Sequence, residues 1–282
     1  MGIKNLLKMP LISALEQPAF RYPVIFELKN RHFSSLDIGI PLTHGMHCPI
    51  TAADSFFSFS EIFVTDEYGG FLNDIPLPRR WLDLGCHTAY FSLYLAWQHA
   101  RAGTADSWAA LLVDADSRVI PAVEKAMAGN GLQDRYHFLH GAITAGEAPV
   151  RFALRSGMGS STDDKGESAS GFEEIPAATP ALIAKLCPPP YDLVKIDVEG
   201  AEFAFLEHYE SIYSQAKVII AEWHSWDKEG TKEGEFRRSM EARGFVFMRE
   251  LQEKRVLNIS GSDLSAGTHM YRRAGEATPA VS

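Results

Sequence analysis

At 282 residues, with 46% hydrophobic and 22% charged side chains, the chain has the make-up of a globular protein large enough for one sizeable domain and a small appendage. A net charge of −9 speaks against a nucleic-acid partner or a membrane surface. The three scattered cysteines, Cys48, Cys86 and Cys187, supply neither a disulfide framework nor metal-ligand spacing, which points to a reducing, cytoplasmic setting.

In chain order, the N-terminal stretch carries Lys4 and Lys8, and its uncharged run Met9–Leu15 is broken by Pro10. It is too short for a secretion signal or a membrane span, and Leu6 stands where a myristoylation motif wants Ser or Thr. Tyr22–Leu28 and Leu36–Leu42 read as short strands. The aromatic piece Phe56–Phe63 is expected to pack this section onto the main sheet, with a substrate wall as the alternative role.

Arg80–Ser92 (RWLDLGCHTAYFS) is a strand, a tight turn at Gly85 and a helix starting near Thr88. A glycine there admits close backbone approach, and the helix start turns free N–H groups toward the same spot. From this point strands and helices alternate, the mark of a parallel sheet with helices on both faces. Expected strands are Ala109–Val113, Tyr136–Leu139, Val150–Leu154, Tyr191–Ile196 and Lys217–Ala221. Expected helices are Val119–Met127, stopped by Asn130-Gly131, then Gly200–Tyr209 and Glu233–Arg243, the last ending at Gly244. Phe245–Leu251, Val256–Ile259 and His269–Tyr271 finish the sheet as a hairpin-like pair plus one further segment. Ser156–Gly171, rich in Gly and Ser, is a loop expected to lie over the acceptor site as a lid, with a tolerated surface insertion as the alternative.

The informative feature is a coincidence of positions. Successive strand ends carry Asp83, Asp114, Gly141 and Asp197, and a fifth carries Glu222 and His224. In an open parallel sheet such ends line one crevice. Asp114, 29 residues beyond Gly85, stands where a carboxylate accepts ribose hydroxyls. The turn has one glycine where a dinucleotide site wants three. That disfavours a nicotinamide oxidoreductase and favours a nucleoside ligand without a pyrophosphate.

The stretches EIFVTDEY, LDLGCHTAYFS, VDADSRVIPAVEKAMAGNGL, GAI, DLVKIDVEGAEFAFLE and AEWH together resemble the FkbM family of S-adenosylmethionine-dependent methyltransferases, from about Ser58 to Tyr271. The resemblance implies a doubly wound, mostly parallel, seven-stranded Rossmann-like α/β sheet with a reversed last strand. It also implies O-methylation of a small hydroxylated acceptor such as a sugar, polyketide or other natural product. By the same resemblance, Asp83, Gly85, Cys86, His87 and Tyr90 bind the methionine part of the cofactor, and Asp114 with Ala115 the ribose. Gly141, Ala142 and Ile143 border the adenine, and Asp197 lies beside the transferred methyl. The family turn reads Gly-Ala-Asn-x-Gly, so Ala89 replaces its second glycine and is expected to press a methyl toward the cofactor. A Leu-Asp pair usual near Ile175–Leu182 is also missing.

An alcohol needs a base. His224, with an ordinary pKa near ~6.5, is the natural one, oriented or replaced by Asp197 or Glu222. A divalent ion on Asp197, Glu222 and His224 is the alternative, which spacing leaves undecided. Lys195 is read as alternating to the other sheet face and Glu199 as capping the next helix. A catalytically silent cofactor-binding or scaffold protein of the same fold is the rival class. The expected layout is an N-terminal extension over 1–57, a methyltransferase domain over 58–273 and a tail over 274–282.

Overall fold

The computed structural model describes residues 38–51, 58–65, 68–154, 171–259 and 262–276, together with Val24, Arg31 and Ser55. The expected strand Tyr22–Leu28, apart from Val24, which has helical backbone, lies outside the described residues, as do the 156–170 part of the expected lid and residues 277–282 of the tail.

Strands β1 (Ile38–Pro41) and β2 (His47–Ile50) form an antiparallel hairpin. The main sheet contains β3 (Arg80–Leu84), β4 (Ala109–Asp114), β5 (Tyr136–His140), β8 (Tyr191–Ile196), β9 (Ala216–Ser225), β10 (Phe245–Ile259) and β11 (Ser262–Arg273). Its order is β5-β4-β3-β8-β9-β11-β10. All seven run parallel except β11, which is antiparallel to both neighbours, so the expected reversed strand is present. Strands β6 (Val150–Leu154) and β7 (Gly171–Ile175) stand apart as an antiparallel pair.

Three sequence readings change. Val150–Leu154 is a strand, but outside the main sheet. Phe245–Leu251 and Val256–Ile259 are one strand, joined through register shifts between Phe247 and Arg255. Strand β9 continues past Ala221 to Ser225, so Glu222 and His224 lie inside it.

Period-two alternation explains the two cores. Trp81, Ala110, Leu112, Leu193, Val218 and Ile220 join one apolar cluster with helices α1 (Tyr90–Arg101) and α2 (Ile120–Met127). Their strand neighbours Leu82, Leu111, Val113, Val194, Ile219 and Ala221 join a second. That second face is covered by α3 (Pro180–Leu186), α4 (Glu202–His208), α5 (Glu210–Tyr213) and α6 (Thr231–Ala242). Helix α3 went unread in the sequence although it has a start signal: the Thr179 hydroxyl oxygen accepts the Leu182 N–H at 3.3 Å, with Pro180 following.

Of the aromatic piece, Phe63 packs on a helix. Phe63, in a π-helical turn Ser60–Val64, lies edge-on to Tyr94 of α1 with ring centroids 5.8 Å apart, and Trp97 is 6.0 Å away. Asn130 ties β2 to the end of α2: its carboxamide oxygen accepts the His47 N–H at 2.8 Å and its amide donates to the His47 carbonyl at 2.8 Å. The chain passes from β5 back across the sheet to β8, beside β3. The carboxyl ends of β3 and β8 therefore meet where strand order reverses, the usual ligand position in such sheets.

Candidate active site

Gly85 closes the join between β3 and β8. Its φ is +76°, and an added Cβ would overlap the Asp197 carbonyl oxygen. The close approach expected there is thus made first by the chain itself. His87 and Ala89 also hold left-handed backbone, at φ +47° and +63°, a conformation costing a non-glycine residue about 1–2 kcal/mol. The Ala89 methyl is fully buried in the α1-side core. It lines neither of the two crevices described below.

Asp83 is fully buried beneath this turn. It accepts the Ser92 hydroxyl at 2.7 Å, and its other oxygen stands 3.5 Å from Lys195 Nζ, which lies directly across the strand pair. Burial pushes its pKa up, with Lys195 opposing. Asp83 therefore supports the turn from below and lines neither of the two crevices that open above it.

The first crevice, about 760 Å³, opens over the ends of β3, β4 and β5. Asp114, Ala115, Gly141, Ala142 and Ile143 line it, joined by Phe152 of β6. Asp114 is held by backbone: one oxygen accepts the His87 N–H at 2.7 Å and the other the Asp116 N–H at 2.8 Å. Each oxygen retains a lone pair for a further hydroxyl. Burial raises the Asp114 pKa, and these N–H bonds oppose the rise. The small residues Ala115, Gly141 and Ala142, with Ile143 and Phe152, leave an apolar slot beside that carboxylate. Phe152 gets there because residues 176–178 bond to Ala142 on both sides, which brings the β6–β7 pair over the crevice.

The second crevice, about 610 Å³, lies on the α1 side and shares Gly85, His87, Asp197 and Glu199 with the first. Cys86 and Tyr90 line this one and not the first. The Cys86 thiol is buried, and burial raises its pKa well above the usual value. Tyr90 donates its hydroxyl to the Pro49 carbonyl. The rest of the lining is ionic. Lys195, far from turning to the opposite face, places Nζ 3.0 Å from the Gly85 carbonyl and 3.2 Å from Asp197. Burial disfavours its charge, but Asp197 and Asp83 outweigh burial and keep its pKa well above normal. Burial would raise Asp197, yet Lys195 and then His224 hold it below the usual carboxylate value. Arg255 of β10 bonds Glu222 at 2.6 Å and stands 3.7 Å from Glu61.

His224 is 8% exposed, and its Nδ1 lies 2.8 Å from Glu202. Its Nε2 faces Glu199 at 3.6 Å and Glu222 at 3.7 Å. Burial disfavours the imidazolium, but Glu202, Glu199 and Glu222 prevail and hold its pKa well above an ordinary histidine's. The expected histidine of ordinary pKa is therefore not what the fold makes: three carboxylates favour its protonated form, and it lies among them. Glu199 does not cap α4; the buried Glu202 accepts the Gly200 N–H at 3.0 Å instead.

A divalent ion on Asp197, Glu222 and His224 would have to displace cations already in place. Glu222 is bonded by Arg255 and Asp197 by Lys195. Asp197, Glu199 and His224 bring ligand atoms within 4.8 Å of one another, and of these Asp197 is already bonded by Lys195. The crevices do fit a nucleoside carrying positive charge. The Asp114 lone pairs and apolar slot suit its ribose and base, and the acids Asp197, Glu199, Glu222 and Glu61 outnumber the cations Lys195 and Arg255 in the adjoining wall.

Residues 126–247 match the family model described as the methyltransferase FkbM domain. Over that stretch the chain is similar to the FkbM methyltransferases. The matched stretch of this S-adenosylmethionine-dependent family holds Asp197, Glu199, Glu202, Glu222 and His224, while the turn at Gly85 and Asp114 precede it. No curated protein sequence matches the chain. Similar solved structures include a proposed RNA methyltransferase of Pyrococcus horikoshii, with 12% identity, 78% of this chain and 85% of that chain covered, and a TM-score of 0.43. A cofactor-bound MTB protein gives 14% identity, coverage of 75% and 80%, and a TM-score of 0.42. The fibrillarin pre-rRNA processing protein of Methanococcus jannaschii gives 11%, coverage of 72% and 70%, and 0.41. The fold of this chain stands on its own strand order and directions. No helix among the described residues is long and apolar enough to cross a membrane.

Glu61, Phe152, Glu199, Glu202 and Arg255 were not singled out as site residues from the sequence. Glu199 and Glu202 sit in the most specific motif, VEGAE, which was the available signal. Glu61 opens the stretch EIFVTDEY, which was its signal, whereas Arg255 has none, being far from the motifs and brought in by packing.

Proposed function

We propose that the protein is an S-adenosylmethionine-dependent O-methyltransferase acting on a hydroxyl of a small molecule, such as a sugar, a polyketide or another natural product. One observation carries the reading: two crevices, one fitted to a nucleoside and one walled by aromatic and ionic side chains, meet at Gly85, His87, Asp197 and Glu199. Asp114 holds the ribose, Gly141, Ala142 and Ile143 border the base, and Asp197 stands beside the reacting centre. We place the proton acceptor among the carboxylates rather than on His224, whose role is to hold Glu199, Glu202 and Glu222 in position. Residues 58–273 form the catalytic unit. Three buried free thiols accord with a reducing, cytoplasmic setting, and the acidic net charge with a small-molecule acceptor.

Titration calorimetry tests the reading. S-adenosylmethionine and its demethylated product should both bind, and Asp114→Ala should weaken both by about 1.5–3 kcal/mol, the worth of a charge-assisted hydrogen bond. Unchanged affinity in a folded Asp114→Ala protein refutes the ribose assignment. Failure of the unaltered chain to bind either ligand refutes the function. Methyl transfer to a panel of hydroxylated metabolites then separates an enzyme from a silent binder.

A further inference from the structure

We propose that Glu199 is the proton-exchanging residue of this site, protonated before the cofactor arrives, ionised by the arriving sulfonium, and then the acceptor of the substrate hydroxyl's proton. The inference rests on the function proposed above.

Position carries the argument. Glu199 is one of the residues lining both crevices, and its side chain is 32% exposed. Its backbone is left-handed, at φ +50°, a costly state for a side chain of this size that the fold maintains where two ligands would meet. The other acids nearby are already held. Asp197 has Lys195 at 3.2 Å, Glu222 has Arg255 at 2.6 Å, and Glu202 has both His224 and the Gly200 N–H. Among the described residues Glu199 has only the looser contact to His224 at 3.6 Å.

The charges that face it come from every neighbouring element. Asp197 and Glu202 flank it on its own segment, Glu222 and His224 come from β9, Lys195 from β8, Arg255 from β10, and Glu61 from the π-helical turn. Burial, and repulsion from Asp197, Glu222 and Glu202, outweigh His224 and push its carboxyl up to about 8. An added cation in the adjoining crevice reverses that balance and expels the proton to solvent. Transfer then forms the acceptor O–C bond as the methyl C–S bond breaks, with the S–C electron pair staying on sulfur. The hydroxyl proton passes to the Glu199 carboxylate, so charge and atoms balance. His224 stays protonated throughout and holds the carboxyl group in place.

The test needs no acceptor. Calorimetry of the full chain at about pH 7, in buffers of different ionisation enthalpy, counts protons released on binding. S-adenosylmethionine carries the sulfonium, whereas its demethylated product has a neutral sulfur and the same ammonium. The first should release roughly 0.5–1 proton more than the second. In Glu199→Gln the difference should vanish and affinity for S-adenosylmethionine should fall by roughly 2–10-fold, with that for the demethylated product changed less. Glu199→Gly, which suits the left-handed backbone, is the second carboxyl-free variant if the first does not fold. Equal proton release by the two ligands, or a difference that survives both variants, overturns the proposal. Binding of neither ligand by the unaltered chain is instead the failure of the underlying function. On any acceptor found in the panel, Glu199→Gln should lower kcat on the order of 100-fold or more. A kcat within threefold of the unaltered chain also overturns it.

Discussion

The two crevices differ in what fixes their polar groups. In the first, Asp114 is held by two backbone N–H groups within a few residues of the strands it joins, and the surrounding residues are small or apolar. In the second, nearly every polar group is held by another side chain from a distant part of the chain: Lys195 by Asp83 and Asp197, Glu222 by Arg255, His224 by Glu202. A backbone-held carboxylate depends on local geometry and tolerates change elsewhere. A side-chain network is coupled, so removing one member strands the rest. The contrast accords with the roles proposed for them, since a constant cofactor needs a constant cradle and an acceptor site needs charges that can respond.

Gly85→Ala should have the largest effect, because Gly85 is the hinge that both crevices share. Overlap with the Asp197 carbonyl and the left-handed backbone together should cost about 5 kcal/mol, read by chemical denaturation. A loss under about 1 kcal/mol would show that the join of β3 and β8 is looser than drawn.

Lys195→Met breaks the side-chain network alone. It leaves the buried Asp83 and the half-buried Asp197 without their cation, at a cost of about 3–4 kcal/mol. Asp197 has a depressed pKa in the folded state, so its contribution is present above its unfolded value of ~3.9 and is lost as pH falls through the folded one. Without Lys195 both carboxylates take up protons at a higher pH, so the variant's deficit should be full at about pH 7 and shrink as pH falls. A deficit independent of pH would mean packing, not charge, is what Lys195 provides.

His224→Gln probes the same network with the opposite sign. The histidine's pKa is raised by folding, so its stabilisation is complete below its unfolded value near ~6.5 and disappears as pH rises through the folded value. Denaturation should show a deficit of about 2 kcal/mol near pH 6 that narrows in alkali. A constant deficit would place His224 as a neutral packing residue.

Ala89→Gly should do least. Relief of the left-handed backbone, about 1–2 kcal/mol, is offset by loss of a buried methyl, about 0.8 kcal/mol, and by the freedom of glycine in the unfolded chain, about 0.5–1 kcal/mol. Stability within about 0.5 kcal/mol of the unaltered chain, and unchanged cofactor affinity by calorimetry, would agree with a methyl directed into the core. A clear gain in affinity would return that methyl to the cofactor side.

Much of the first crevice was legible in the sequence. Asp114 and Gly141 follow strands whose hydrophobic runs are unmistakable, and in a parallel sheet the position after a strand is already a position in space. Asp83 misleads by the same rule, because it lies one residue inside the end of its strand, on the face that α1 covers. Glu222 and His224 mislead as well: the apolar run at Ala221 stops before the strand does, since β11 keeps pairing through His224 to Ser225.

From the sequence alone came the alternating order of strands and helices, the turn at Gly85, and the VEGAE segment that later aligned with the family. These are local patterns, set by side-chain periodicity and backbone sterics over a few residues. The tertiary structure alone decided that Asp83 lies opposite Lys195, that Arg255 reaches Glu222, and that Glu61 and Phe152 join the walls. Only there did His224 come to lie among three carboxylates and Glu199 become the loosely held acid between two crevices. Strand register, burial and the summed field of distant charges are properties of chain segments brought together in space, and no window along the sequence contains them.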